Sequence, residues 1–268
     1  ALLNMLVDAD LTFIVDPIDG TRNYVMGLPL FGMMIAACHR GEVIAGVIYD
    51  PVCRDAAIAV RGEGAWMARE DGAMTQLAVA KAAPLQDMEC MIDSKSLPKD
   101  LRDMANSRLS AFARNTSLHC AAHEYRMAAS GHCHVLLYNK LHPWDHAAGW
   151  LLHQEAGGYS AHFDGSPYKP THRDGGLLIA PDKASWEEVR KLLLVDRRQG
   201  RRQALSIYCA VFSAQFPRSG RLGIQRAQRL GARLLHLQAQ QVIGARAPPV
   251  DRRDGQAALT GFLHVAVA

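Results

Sequence analysis

Asp16-Pro17-Ile18-Asp19-Gly20-Thr21 is the stretch around which this chain is organised. It follows the apolar run Phe13-Ile14-Val15, which predicts a buried strand. Pro17 predicts the end of that strand, and Gly20 a tight bend. Two carboxylates three residues apart then sit on a turn at a strand's end and can face one pocket. Hard divalent cations such as Mg²⁺ take oxygen ligands, and two carboxylates with a free main-chain carbonyl suit one. Beyond the bend, the main-chain N–H groups of Gly20 and Thr21 are placed to receive a phosphate. Asp, Pro and Gly are also common in ordinary turns, so the hexapeptide alone leaves a plain turn open.

A second stretch changes the balance. Trp144-Asp145-His146-Ala147-Ala148-Gly149 leads into an apolar helix that closes at Glu155-Ala156-Gly157-Gly158. Asp145 stands where an N-cap belongs, and Gly157 or Gly158 is a natural C-terminal stop. Besides capping, an aspartate at a helix start can offer its outward oxygen to a metal. Together the two stretches resemble the signatures of the inositol monophosphatase family of Mg²⁺-dependent phosphomonoesterases. Asp-Pro-hydrophobic-Asp-Gly-Thr is matched at 16–21, and Trp-Asp-x-Ala-x-Gly with Glu-Ala-Gly-Gly at 144–158. Their order and separation fit, and the resemblance covers roughly residues 10–195.

The chain has 268 residues, nearly half of them hydrophobic, enough for one large domain or two small ones. Its formal charge of +4 is unevenly spread. Residues 1–196 carry a net −6, while residues 197–268 carry +10, with 12 Arg and no Lys. We therefore expect a catalytic domain over 1–195, lacking its N-terminal segment, and a basic Arg- and Gln-rich tail over 196–268 that packs poorly. The arginines lack aromatic interleaving, so the tail is a weak candidate for nucleic acid. The six cysteines have no framework spacing and several lie in apolar runs, which points to reduced thiols and a cytoplasmic protein. No signal peptide or membrane-length apolar run is visible.

Strands are expected over 32–38, 43–49, 56–60 and 65–68, joined by short turns into an antiparallel meander that reaches Leu77. Strands near 88–92, 135–138 and 177–180 then alternate with helices over 98–112, 121–130, 145–156 and 185–194. Ser185-x-x-Glu188 fits a capping box for the last helix. This pattern reads as an α/β layered sandwich. The resemblance implies the same architecture, with its N-terminal layer incomplete and a metal site between the two halves.

The resemblance also implies roles. Asp16 bridges metals, the main-chain oxygen of Ile18 adds a ligand, and Asp19 and Asp145 complete a second site for two or more Mg²⁺. Thr21 positions or deprotonates the attacking water, and Gly20, Thr21 and Asp145 contact the substrate. Lys140 can meet a second anionic group on the substrate or stand as a solvated surface charge. The family places further acidic ligands upstream of the first signature, where this sequence has only Asp8 and Asp10. A fragment or a truncated product is therefore expected, with weak metal binding and very low activity.

The stretch 138–143 holds no acid to grip sugar hydroxyls, and Leu118-His119-Cys120-Ala121-Ala122 replaces a small Gly-Thr-Ala segment. Inositol phosphate therefore competes with histidinol phosphate, a sugar bisphosphate and a nucleoside 3′,5′-bisphosphate as substrate, and a non-catalytic remnant is the alternative class. Cys120-x-x-His123 is a poor zinc signal, because no second pair has ligand spacing. Trp144 is expected to pack in the core, and His146 and His153 to lie at the surface or just behind the site. The expected partners are a small phosphorylated metabolite and a second copy in a homodimer.

Overall fold

The computed structural model describes residues 6–195. The expected basic tail, 196–268, lies outside the described residues.

Strand β1 (Thr12–Asp19) is followed by a short helix, α1 (Thr21–Val25). An antiparallel meander then runs through β2 (Gly32–His39), β3 (Glu42–Asp50), β4 (Asp55–Val60), β5 (Gly64–Arg69) and β6 (Met74–Gln76). These strands form one six-stranded sheet in chain order, as their tight turns and alternating apolar residues predict. Next come β7 (Glu89–Ile92), α2 (Lys99–Asn106), β8 (Arg114–Thr116) and α3 (Ala121–Ala129). The described chain closes with β9 (Val135–Tyr138), α4 (Pro143–Glu155), β10 (Tyr159–Ala161), β11 (Leu177–Ala180) and α5 (Lys183–Leu193). The second sheet has the order β10-β11-β9-β7-β8.

The layers follow from which faces are apolar. On β9 and β11 successive side chains alternate between two cores, so this sheet is buried on both faces. Leu136, Leu177 and Ile179 join Tyr125, Leu151 and Leu152 in the core that also holds Met34 and Ile48 of the first sheet. Val135, Leu137 and Leu178 face the other way, onto Ala105 of α2 and Trp186, Val189 and Leu193 of α5. The order is therefore sheet, helices α3 and α4, sheet, helices α2 and α5. On the far face of the first sheet, the outward side chains near β1 (Phe13, Val15 and Met33) are exposed. This α/β layered arrangement is the one expected.

Several local expectations change. Pro17 does not end β1. The strand continues to Asp19 through a bulge, the register passing from Asp16 opposite Met34 to Asp19 opposite Gly32. Proline lacks an N–H, and an edge strand with a bulge is where a sheet tolerates one. Asp145 is not the N-cap of α4: that position belongs to His142, with Pro143 at the first helical residue and Asp145 within the first turn. Ser185 does not cap α5 either; Asp182 does, accepting the Ser185 N–H at 2.7 Å. The helix expected over 98–112 stops at Asn106.

Helix α4 can carry Asp145 to the site because two glycines let it sit close. A Cβ on Gly46 would lie 2.9 Å from the Ala148 carbonyl oxygen, and one on Gly149 would lie 2.1 Å from the ring of fully buried Tyr125. Gly149→Ala should therefore destabilise the chain. The overpacking cost is about 1–3 kcal/mol, offset by up to about 1 kcal/mol of helix propensity. Thermal denaturation should show a lower Tm; a Tm equal to or above wild type would contradict this packing.

Candidate metal centre

The two signatures meet in space. Asp16 and Asp19, from the end of β1, and Asp145, from the first turn of α4, each offer a carboxylate oxygen within 4.8 Å of the others. Among the described residues, no Lys, Arg or His nitrogen lies within 4.0 Å of these carboxylates. Three acidic groups this close repel one another unless a proton or a cation intervenes.

The loop geometry holds them there. Asp16 Oδ1 accepts the Ile18 N–H at 3.0 Å, closing a turn on itself. Gly20 bends the chain with φ of +78°, a conformation costly for other residues. The Thr21 hydroxyl donates to the Ile18 carbonyl at 2.8 Å, so the oxygen assigned to a metal already has one neighbour. Asp19 is buried, and its Oδ2 accepts the Ala122 N–H at 2.6 Å and the Cys120 thiol at 3.0 Å. Lys140 is exposed on the turn before α4, and its carbonyl oxygen accepts Nε2–H of His146 at 2.9 Å.

The electrostatics match this crowding. Burial first, then the charge of Asp19 and a hydrogen bond with Asp16, push the Asp145 carboxyl up to about 7. Burial also raises Asp19, against the two donors on its Oδ2. His146, expected at the surface or just behind the site, is buried between the Tyr125 hydroxyl and the Lys140 carbonyl, and burial drives it down to about 4. It is neutral, with its proton on Nε2, and stiffens the turn ahead of Asp145. His153 is buried too. Trp144, expected in the core, is 40% exposed and stacks flat on His142. The Cys120–His123 pair is split: the thiol faces Asp19, and His123 Nε2 donates to the Phe31 carbonyl at 3.2 Å. Among the described residues the three aspartates are the only His/Cys/Asp/Glu cluster with a metal-holding arrangement.

Sequence reasoning missed Asn23, Glu124 and the donor role of Cys120. Leu118, which Asn23 grips, is 95 residues from it and Asp19 is 101 from Cys120, while Glu124 meets Leu118 and Tyr138, 6 and 14 residues away, only through the fold of the turn before α3. Glu124 is buried, accepts the Tyr138 hydroxyl at 2.8 Å, and is pushed up to about 7 by burial.

Residues 4–199 match the model of the inositol monophosphatase family, and the chain belongs to that family. It is 32% identical over 186 residues to the Nus factor SuhB of Haemophilus influenzae, spanning 69% of this chain and 68% of that one. It is 34% identical over 181 residues to an inositol-1-monophosphatase of Mesorhizobium japonicum, covering 65% of this chain and 64% of the relative. Among solved structures, an IMPase of Thermotoga maritima superposes with a TM-score of 0.60 at 27% identity, over 69% of each chain. The chain thus spans about two thirds of the length of these relatives.

The pH behaviour follows with a definite sign. Asp145 has a raised pKa in the fold, so its contribution to stability is present below the ordinary carboxyl value and lost as pH rises through about 7. Removing its charge should relieve the site. Without divalent cation, Asp145→Asn should melt a few degrees above wild type at pH 8, with the gap narrowing by pH 5.5. Thermal scans at the two pH values check this, and an Asn variant less stable than wild type at pH 8 would contradict it.

Proposed function

We propose that this chain hydrolyses a small phosphate monoester of the inositol phosphate type, using Mg²⁺ held by Asp16, Asp19, Asp145 and the Ile18 carbonyl. The observation that supports this most is the convergence of three carboxylates from two distant segments, with no basic side chain among the described residues paired to them. An all-oxygen donor set with excess negative charge suits a hard divalent ion. Three carboxylates and one carbonyl would hold the ion while leaving it part of its hydration, so we expect millimolar affinity. When bound, Mg²⁺ neutralises phosphate charge and lowers the pKa of water.

The protein's own groups then have separate tasks. Asp145, raised by burial and by its acidic neighbours, would be held in its charged form by a bound cation. The Thr21 hydroxyl donates its hydrogen bond to the Ile18 carbonyl, so its lone pairs can accept a hydrogen bond from the attacking water and orient it towards phosphorus. Gly20 and Thr21 would receive the phosphate with main-chain N–H groups, and Lys140 would meet a second anionic group. A homodimer and a cytoplasmic location remain part of this proposal. No helix among the described residues is long and apolar enough to cross a membrane.

Substrate choice within the class stays with the alternatives named from the sequence: histidinol phosphate, a sugar bisphosphate or a nucleoside 3′,5′-bisphosphate. A non-catalytic role is the second reading, favoured by the Nus factor name carried by the Haemophilus relative. Phosphate release from a panel of these compounds and inositol 1-phosphate, in millimolar Mg²⁺, distinguishes them. We expect Mg²⁺-dependent release from at least one, falling at least about 100-fold in Asp145→Asn, as expected when a metal ligand central to charge neutralisation is lost. Equal, metal-independent rates for wild type and variant would contradict the proposal.

A further inference from the structure

Glu124 is a buried carboxylate that the proposed reaction does not use. It sits in the first turn of α3, where Oε1 accepts the Leu118 N–H at 3.0 Å and Oε2 accepts the Tyr138 hydroxyl at 2.8 Å. Leu118 is gripped from its other side as well. Its carbonyl accepts Nδ2 of Asn23 at 2.7 Å, and the same Nδ2 donates to the Leu30 carbonyl at 2.9 Å. Asn23 is 2% exposed. Glu124 and Asn23 thus pin one peptide segment between α3 and α1.

That segment needs pinning. His119 has φ of +52°, a left-handed conformation that costs a non-glycine residue about 1 kcal/mol or more. The turn also lies directly on the metal loop: a Cβ on Gly20 would meet the Leu30 carbonyl oxygen at 2.8 Å and the Cys120 Sγ at 3.0 Å. The two donors on Asp19 Oδ2 follow it: the Cys120 thiol at the end of the turn, and the Ala122 N–H at the start of α3, into which the turn leads. Two donors on one oxygen fix the plane of the Asp19 carboxylate and therefore the direction in which it meets a cation. Groups that orient a metal ligand from behind are commonly worth 10- to 100-fold in metal affinity.

We propose that Glu124 is a positioning residue, holding the strained 118–120 turn so that Cys120 and Ala122 orient Asp19 towards the cation. This rests on the reading of the three aspartates as a metal centre. Glu124 acts through geometry: what matters is an acceptor at the Leu118 N–H, not the charge it carries. A glutamine, whose amide oxygen can accept the same N–H and whose NH₂ can donate to the Tyr138 oxygen, should therefore replace it.

The test is a Mn²⁺ titration of the whole chain, followed by water proton relaxation, with folding checked by circular dichroism. Glu124→Ala should weaken Mn²⁺ binding about tenfold. Glu124→Asp, which keeps the charge but draws the oxygens back by one methylene, should weaken it severalfold, and it tests the idea if the alanine variant does not fold. Glu124→Gln should stay within about threefold of wild type. Folded Ala or Asp variants with wild-type affinity would overturn the proposal. So would a Gln variant as weak as Ala, because Glu124 would then act through its charge. Wild-type protein that binds no Mn²⁺ would instead remove the metal centre itself, and this role with it.

Discussion

Mutual repulsion among three carboxylates within 4.8 Å is the constraint that the rest of this structure serves. Such a cluster is unfavourable without a counter-charge, and no basic side chain among the described residues supplies one. The fold bears this cost by distributing rigid support around it. Asp16 is fixed by its own turn, Asp19 by two donors on one oxygen, and Asp145 by a helix seated tightly on the sheet. With that support the groups cannot swing apart, and the strain is relieved by a proton on Asp145 or by a cation. Burial first, and then this crowding, raise the Asp145 carboxyl to about 7.

The layering is what allows segments over a hundred residues apart to meet. Helices α3 and α4 lie between the two sheets, and each presents its N-terminal turn to the end of β1. Close approach at Gly46 and Gly149 sets the height of α4, while Tyr125 fills the space against Gly149. At the far end of α4, Glu155 accepts the Gly62 and Gly64 N–H groups at 3.0 Å each and ties the helix to the turn between β4 and β5. The Glu-Ala-Gly-Gly signature is thus a structural clasp at one end of a helix whose other end carries Asp145.

The general architecture was readable from the sequence because it rests on local signals. Alternating apolar residues and short glycine turns marked the meander, and the strands Val135–Tyr138 and Leu177–Ala180 appear where the apolar runs placed them. The three converging aspartates were readable because their motifs are local as well. What local pattern could not show was tertiary. The bulge that carries β1 past Pro17 depends on the neighbouring strand's register. The burial of His146 depends on Tyr125 and on the Lys140 carbonyl, and the Cys120 thiol finds its acceptor 101 residues earlier in the chain. Trp144 looked like a core residue by type, yet its helix turns it outward to stack on His142.

The most direct test of the account is a crystal grown with Mn²⁺ and measured for its anomalous signal. We expect a peak at bonding distance from carboxylate oxygens of Asp16, Asp19 and Asp145 together, with Asp19 Oδ2 still held by Cys120 and Ala122. A map without density among these groups, or with Asp145 turned away and paired to a basic side chain, would contradict it.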